Sequence, residues 1–167
     1  MPVPDDTAVF EITRRFARPR AIVWKAWSEA DALAHWWGPK GCSVGVRRFE
    51  FRPGGFFHYE MTFDGAPPMW GRFMYREIVA SERIAWLNSF SNERCGIARA
   101  PFSDACPLEI LNTVTFTEHD GETTVALRAE PFGEVDVERR YFVDLRPSLD
   151  HGYGGTFEQL AEHLRRG

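Results

Sequence analysis

The alternation of apolar and polar positions changes period along this chain, and the changes mark its elements. Over residues 8–16, Phe10, Ile12 and Phe16 fall on one face, which predicts a strand with one buried side. From Pro19 the spacing turns helical. Ile22, Val23 and Trp27 with the neighbouring alanines form an apolar stripe over 20–28. Pro19 fits a helix start, where its missing N–H costs nothing. Ser28 reads as the N-cap of a second short helix over 29–36, with Glu29 and Asp31 in its first turn, and Gly38-Pro39 ends it.

Period-two alternation then returns. Strands are predicted at 43–51, 56–63, 69–79 and 83–90, separated by Pro53-Gly54-Gly55, by 64–68 and by a tight turn at Ser81-Glu82. Residues 91–107 hold Gly96, Pro101, Pro107 and two cysteines without periodicity, and read as a long loop of the kind that carries function. Strands at 109–118 and 122–130 flank Asp120-Gly121, a strong hairpin cue. The stretch 131–147 is ambiguous, with a short helix possible from Glu134 to Arg140. Phe157, Leu160, Ala161 and Leu164 predict an amphipathic helix over about 148–166. The order is strand, two short helices, hairpin-joined strands and a terminal helix. That makes an α+β domain in which the helix covers one face of an antiparallel sheet. Residues 1–7 read as an N-terminal tail and 8–166 as a single domain.

Composition narrows the function. The chain has 167 residues and a net charge of −4, which argues against a nucleic-acid partner. Its 18 arginines include Arg47, Arg48 and Arg52, which alternate between sheet faces rather than forming one patch. No apolar run approaches the roughly 18 residues of a membrane span. Cys42, Cys95 and Cys106 have no zinc-type spacing, and the N-terminal residues lack the pattern of a signal peptide. A cytoplasmic protein with free thiols, no metal and no cofactor is therefore expected. The aromatic load is high, with 14 Phe, 6 Trp and 4 Tyr.

That load has a pattern. Phe57, Tyr59 and Met61 share a face of one strand, Phe73 and Tyr75 of the next, and Trp86 and Asn88 of the one after. Together with Trp36 and Phe157, they either pack against the last helix or line a cavity for a flat or aliphatic molecule. Asn88 and Asn112 are polar residues in apolar strands. They orient a ligand, or bond to each other or to the long loop. His58 and Glu60 share the opposite strand face, expected to be solvated. His35, beside Trp36 and Trp37, is a candidate general acid or base, with Tyr59 or Tyr75 as its partner, or simply a helix-terminal histidine. His151 is a second histidine near the last helix, while His119 and His163 are expected at the surface. Of Trp36 and Trp37, one is expected to anchor the core and the other to cap an opening or meet a partner. Trp37, Trp70 and the long loop are the candidate protein-interaction surface. No nucleotide-binding, nucleophile-elbow or zinc-protease motif is present.

The ordered set PRAIVWKAW (19–27), HWWGPKG (35–41), RPGG (52–55), Met61, Gly71, YREI (75–78), SERI (81–84), NTVTFT (112–117) and GGTFEQLAEHL (154–164) resembles the START/Bet v 1-like superfamily. Within it, the chain resembles the family named after the activator of Hsp90 ATPase, also called polyketide cyclase-like. The resemblance covers about residues 8–165. It implies a helix-grip fold: a curved seven-stranded antiparallel sheet around a long C-terminal helix, with a cavity between them closed by the two short helices. Where many members carry Gly-Trp and Leu-Asp in the last helix, this chain has Gly152-Tyr153-Gly154-Gly155, which implies a more open, glycine-lined face. The expected function is binding of a small hydrophobic or aromatic molecule. The alternatives are a co-chaperone-like interaction module and a cyclase- or hydrolase-type enzyme using the same cavity. A homodimer is compatible with the sheet edges.

Overall fold

The computed structural model describes residues 7–166, so all but the last residue of the predicted 1–7 tail lies outside the described residues. The elements are β1 (Phe10–Phe16), α1 (Arg20–Ser28), α2 (Ala30–Trp36), β2 (Ser43–Phe49), β3 (Phe56–Thr62), β4 (Met69–Val79), β5 (Arg83–Ser91), β6 (Ile97–Ala98), β7 (Ile110–His119), β8 (Glu122–Pro131) and α3 (Asp136–Arg166). The strands pair antiparallel in the order β1-β8-β7-β5-β4-β3-β2. This is the helix-grip arrangement, with α3 lying against one face of the sheet and α1 and α2 at its end.

Two-residue β6 was hidden inside the predicted loop. It pairs with Phe90 and Ser91, just past Asn88, where the β5–β7 pairing ends. β6 and β7 therefore follow one another along the same side of β5. The segment 99–109 is an excursion between them.

The helix starts are not where local capping rules place them. Pro19 is the N-cap of α1 rather than its first residue, and contributes no side-chain bond. The cap comes from across the fold, where Glu118 of β7 accepts the Arg20 N–H at 2.5 Å. Ser28 does not cap α2. It ends α1, and its hydroxyl lies near the Lys25 carbonyl, while Glu29 occupies the cap position of α2.

The largest departure is α3, a single helix from Asp136 rather than a short helix followed by one at 148. Pro147 stands inside it. A proline there leaves the carbonyl four residues back without its helical donor. That carbonyl belongs to Val143, and Arg146 Nε donates to it at 3.3 Å while Arg146 Nη1 reaches the Val9 carbonyl. Side-chain donors thus offset the break, and tertiary contact overrides propensity.

The core lies between the sheet and the helices. Trp27, Trp36, Trp86, Phe116 and Phe157 are buried there, with Trp27 in ring contact with each of the other four. Face-to-edge packing of this kind fills space with large rings at favourable geometry.

A candidate ligand cleft between the sheet and the last helix

Beside the filled core the same two layers separate. A lobe of about 190 Å³ opens between Trp37, Gly38 and Pro39 after α2, Tyr59 and Met61 on β3, and Ser148, Leu149, Gly152, Tyr153 and Thr156 on α3. A second lobe of about 300 Å³ shares Pro39, Tyr59, Met61 and Leu149 with it, and extends past Gly71, Asn88 and Phe90 to Cys106, Pro107 and Ile110. The shared walls make one two-lobed cleft. None of the residues lining either lobe carries a charge.

Glycines create this space. Gly38 takes φ +97°, and a Cβ there would stand 2.8 Å from Cys42 Sγ. Its carbonyl is held to α3 by Gln159 Nε2 at 2.8 Å and by the Thr156 hydroxyl at 2.9 Å, which pins the cleft mouth to the helix. Gly71 pairs with Tyr59 across β3 and β4, and a Cβ on it would lie 2.6 Å from the Tyr59 ring, so the ring lies flat over the glycine. A Cβ on Gly152 would meet nothing within 4 Å. Of the three glycines expected to line the helix face, only this one borders the cleft. Gly154 sits near Arg14, and Gly155 packs on the Lys40 stem, whose ammonium pairs with Glu158.

The polar groups of the cleft are neutral. Burial pushes the Tyr59 hydroxyl up, opposed by hydrogen bonds with the Trp37 and Asn88 side chains. Asn88 Nδ2 donates to the Arg72 carbonyl at 3.0 Å. Burial also raises Tyr153, whose hydroxyl faces Asn112 Oδ1 at 3.3 Å. The Cys106 thiol is raised by burial and by the nearby Glu138 carboxylate. The two asparagines therefore bond neither each other nor the long loop.

That loop borders the second lobe through Cys106 and Pro107. Glu138, buried at the start of α3, accepts from Arg99 Nη1 at 2.7 Å and from the Leu108 N–H at 3.4 Å. On the opposite sheet face the 92–96 hairpin covers His58, which corrects the expected solvated position. His58 is 3% exposed, stacks on Trp70, and places Nε2 3.0 Å from the Asn92 carbonyl. The covering segment is distant in sequence, so strand alternation alone could not reveal it. Glu60 on that face pairs with Arg47, and Glu50 pairs with both Arg48 and Arg52.

Of the aromatic and polar residues singled out in the sequence, Tyr59, Met61 and Asn88 border the cleft. Trp36, Phe57, Phe73, Tyr75, Trp86 and Phe157 are at most 2% exposed and belong to the packed core behind it. Trp36 donates its indole N–H to the Ala26 carbonyl, while Trp37 stands at the cleft against Phe73 and Tyr153. His35 lies outside, in a separate groove with Lys25, Glu29 and Asp31, its ring stacked on His163 and its Nδ1 at the Asp31 carbonyl. His151 is exposed. The sequence reading missed Pro39, Leu149, Tyr153 and Pro107 as cleft residues. The Gly152-Tyr153 pair was the one hint available.

Among the described residues no three His, Cys, Asp or Glu side chains converge as a metal site. Among the same residues no helix is long and apolar enough to cross a membrane. Trp37 is buried and Trp70 half-buried. Five of the six large exposed apolar residues instead lie in the long loop and before or within the first turn of α3: Ile97, Phe102, Phe132, Val135 and Val137.

A long helix gripped by an antiparallel sheet, with an uncharged cleft between them, defines a helix-grip domain. The chain belongs to the family described as activator of Hsp90 ATPase homolog 1-like protein, whose model matches residues 17–165. Solved structures share the fold. A protein from Arthrobacter aurescens superposes with TM-score 0.81 at 20% identity, covering 99% of this chain and 91% of that one. One from Mycobacterium smegmatis gives 0.75 at 24% identity, with 95% and 91% covered. One from Chromobacterium violaceum gives 0.70 at 21%, with 94% and 96% covered. No curated protein matches the chain.

Proposed function

We propose that this protein binds a small hydrophobic molecule in the two-lobed cleft between β3, β4 and α3. The observation that carries the reading is the lining itself: apolar and aromatic walls, a few neutral polar groups and no charge, next to a core that is already filled. The family fold supports it. Binding is favoured over acid–base turnover because the cleft presents no histidine or carboxylate. Its Tyr59, Tyr153 and Cys106 side chains are all pushed toward their protonated forms.

The test is a fluorescence titration with N-phenyl-1-naphthylamine, a neutral apolar probe that brightens when it leaves water. The wild-type chain is expected to show saturable, one-site enhancement. Gly152→Leu, which places a side chain in open cleft space, is expected to remove at least nine-tenths of it while the unfolding midpoint stays level or rises. No enhancement, or enhancement unchanged in Gly152→Leu, overturns the reading.

A further inference from the structure

We infer that the molecule taken by the cleft is uncharged and carries one hydroxyl or carbonyl group, which docks at Tyr59 and Asn88 where the two lobes meet. The inference rests on the ligand-binding reading above and adds the chemistry of the ligand.

The argument has two parts. The first is charge. A buried ion needs a partner, because taking it out of water without one is costly. Neither lobe is lined by a lysine, arginine, histidine, aspartate or glutamate. Two charged pairs beside the lining are engaged internally. Lys40, next to Pro39, pairs with Glu158, and Arg99, which reaches the Cys106 carbonyl, pairs with Glu138. A carboxylate entering the cleft finds no cation, and an ammonium finds no anion.

The second part is the polar point. Tyr59 borders both lobes and Asn88 the second, and the Tyr59 hydroxyl lies over Gly71. Gly71 fixes its ring, and the Trp37 and Asn88 side chains hold its hydroxyl. Asn88 gives one amide hydrogen to the Arg72 carbonyl and directs the other at the Tyr59 oxygen. An oxygen placed here meets the Tyr59 O–H as a donor, and a hydroxyl also meets Asn88 Oδ1 as an acceptor. Apart from Ser148, which is exposed at the edge of the first lobe, the other polar side chains are turned or occupied. The Tyr153 hydroxyl faces Asn112, and the Thr156 hydroxyl is shared between the Gly38 and Gly152 carbonyls. Ser89 pairs with Arg72 and so lies on the His58 face of the sheet. Beyond this point the walls are Met61, Phe90, Pro107, Ile110 and Leu149, which accept hydrocarbon.

The test displaces N-phenyl-1-naphthylamine with three probes on one ring system: naphthalene, 2-naphthol and 2-naphthoate, at pH 7. The expected result is displacement by naphthalene and 2-naphthol, with 2-naphthoate at least about thirtyfold weaker than 2-naphthol. In Tyr59→Phe and in Asn88→Ala the 2-naphthol affinity is expected to fall about five- to tenfold, with that of naphthalene changed less than about twofold. Tyr59→Phe keeps the ring over Gly71, and an unfolding curve for each variant confirms the fold. Equal displacement by 2-naphthoate and 2-naphthol overturns the inference, as does a 2-naphthol affinity unmoved in both variants. If N-phenyl-1-naphthylamine binds but the probes are not discriminated, this inference alone fails. If it does not bind, the ligand-binding reading fails with it.

Discussion

The interface between sheet and last helix has two halves built from similar residues to opposite effect. Around Trp27, Trp86, Phe116 and Phe157 the rings meet edge to face or tilted, and none is more than 2% exposed. Around Tyr59 and Tyr153 the rings are as large, yet a cleft persists. The difference lies in what faces them. In the open half Gly71 lets the Tyr59 ring lie flat on the strand, Gly152 leaves the helix surface bare, and the Gly38 turn carries the chain past without a side chain. Aromatic content thus says how much surface must be buried. Small residues opposite decide whether it is buried against protein or left for a ligand.

The two halves can be separated experimentally. The largest effect is expected from Trp86→Ala in the filled half. Trp86 is fully buried and its indole N–H has no partner, so the loss is packing alone, about 3–5 kcal/mol in urea unfolding. The thermal midpoint should drop on the order of 10 °C. A loss under about 1 kcal/mol would show that this half is not packed as described. Gly71→Ala comes next. Its methyl group forces Tyr59 off the strand, for an expected cost of about 1–3 kcal/mol together with weaker N-phenyl-1-naphthylamine binding, whereas wild-type affinity would refute the close approach. Gly152→Ala is expected to act in the opposite sense on stability. An alanine in a helix gains about 1 kcal/mol over glycine and here meets no obstacle, while the added methyl group lowers probe affinity severalfold.

The smallest effect is that of pH. Burial lowers the proton affinity of His58 and of His163, the latter also through His35, so the unfolded chain binds protons before the folded one does. Stability is therefore fully present above the ordinary histidine value of about 6.5 and declines as pH falls below it. Probe affinity should stay flat from pH 8 to 6, because the cleft groups that titrate are all shifted upward, away from that window. Parallel thermal melts and titrations check both halves of this statement, and an affinity that tracks the acid decline would place an ionising group in the cleft.

Much of the fold was legible from local pattern. The strand faces holding Phe57 with Tyr59 and Phe73 with Tyr75, the turns at Gly54-Gly55 and Asp120-Gly121, and the apolar stripe of the last helix all follow from side-chain period and turn chemistry. The 131–147 stretch was not legible. Its helix depends on Arg146 serving the carbonyl that Pro147 leaves open, and on Glu138 meeting Arg99 from a segment 39 residues away. The site was partly legible. Alternation places Tyr59, Met61 and Asn88 on the inner face, but equally places Phe57, Phe73 and Trp86 there, and the sequence has no term that tells them apart.

What the sequence determined by itself is the face each residue presents and the family-level architecture, because period-two and period-3.6 patterns are local properties of the backbone. What only the tertiary structure decided is which inward residues meet a partner. Whether His58 is covered, whether Trp37 borders an opening, and whether Tyr59 ends on a glycine or on another ring all depend on segments remote in the chain. Cavities and buried polar contacts arise from those long-range juxtapositions, and their physical cause is close packing, which is set by every neighbour at once.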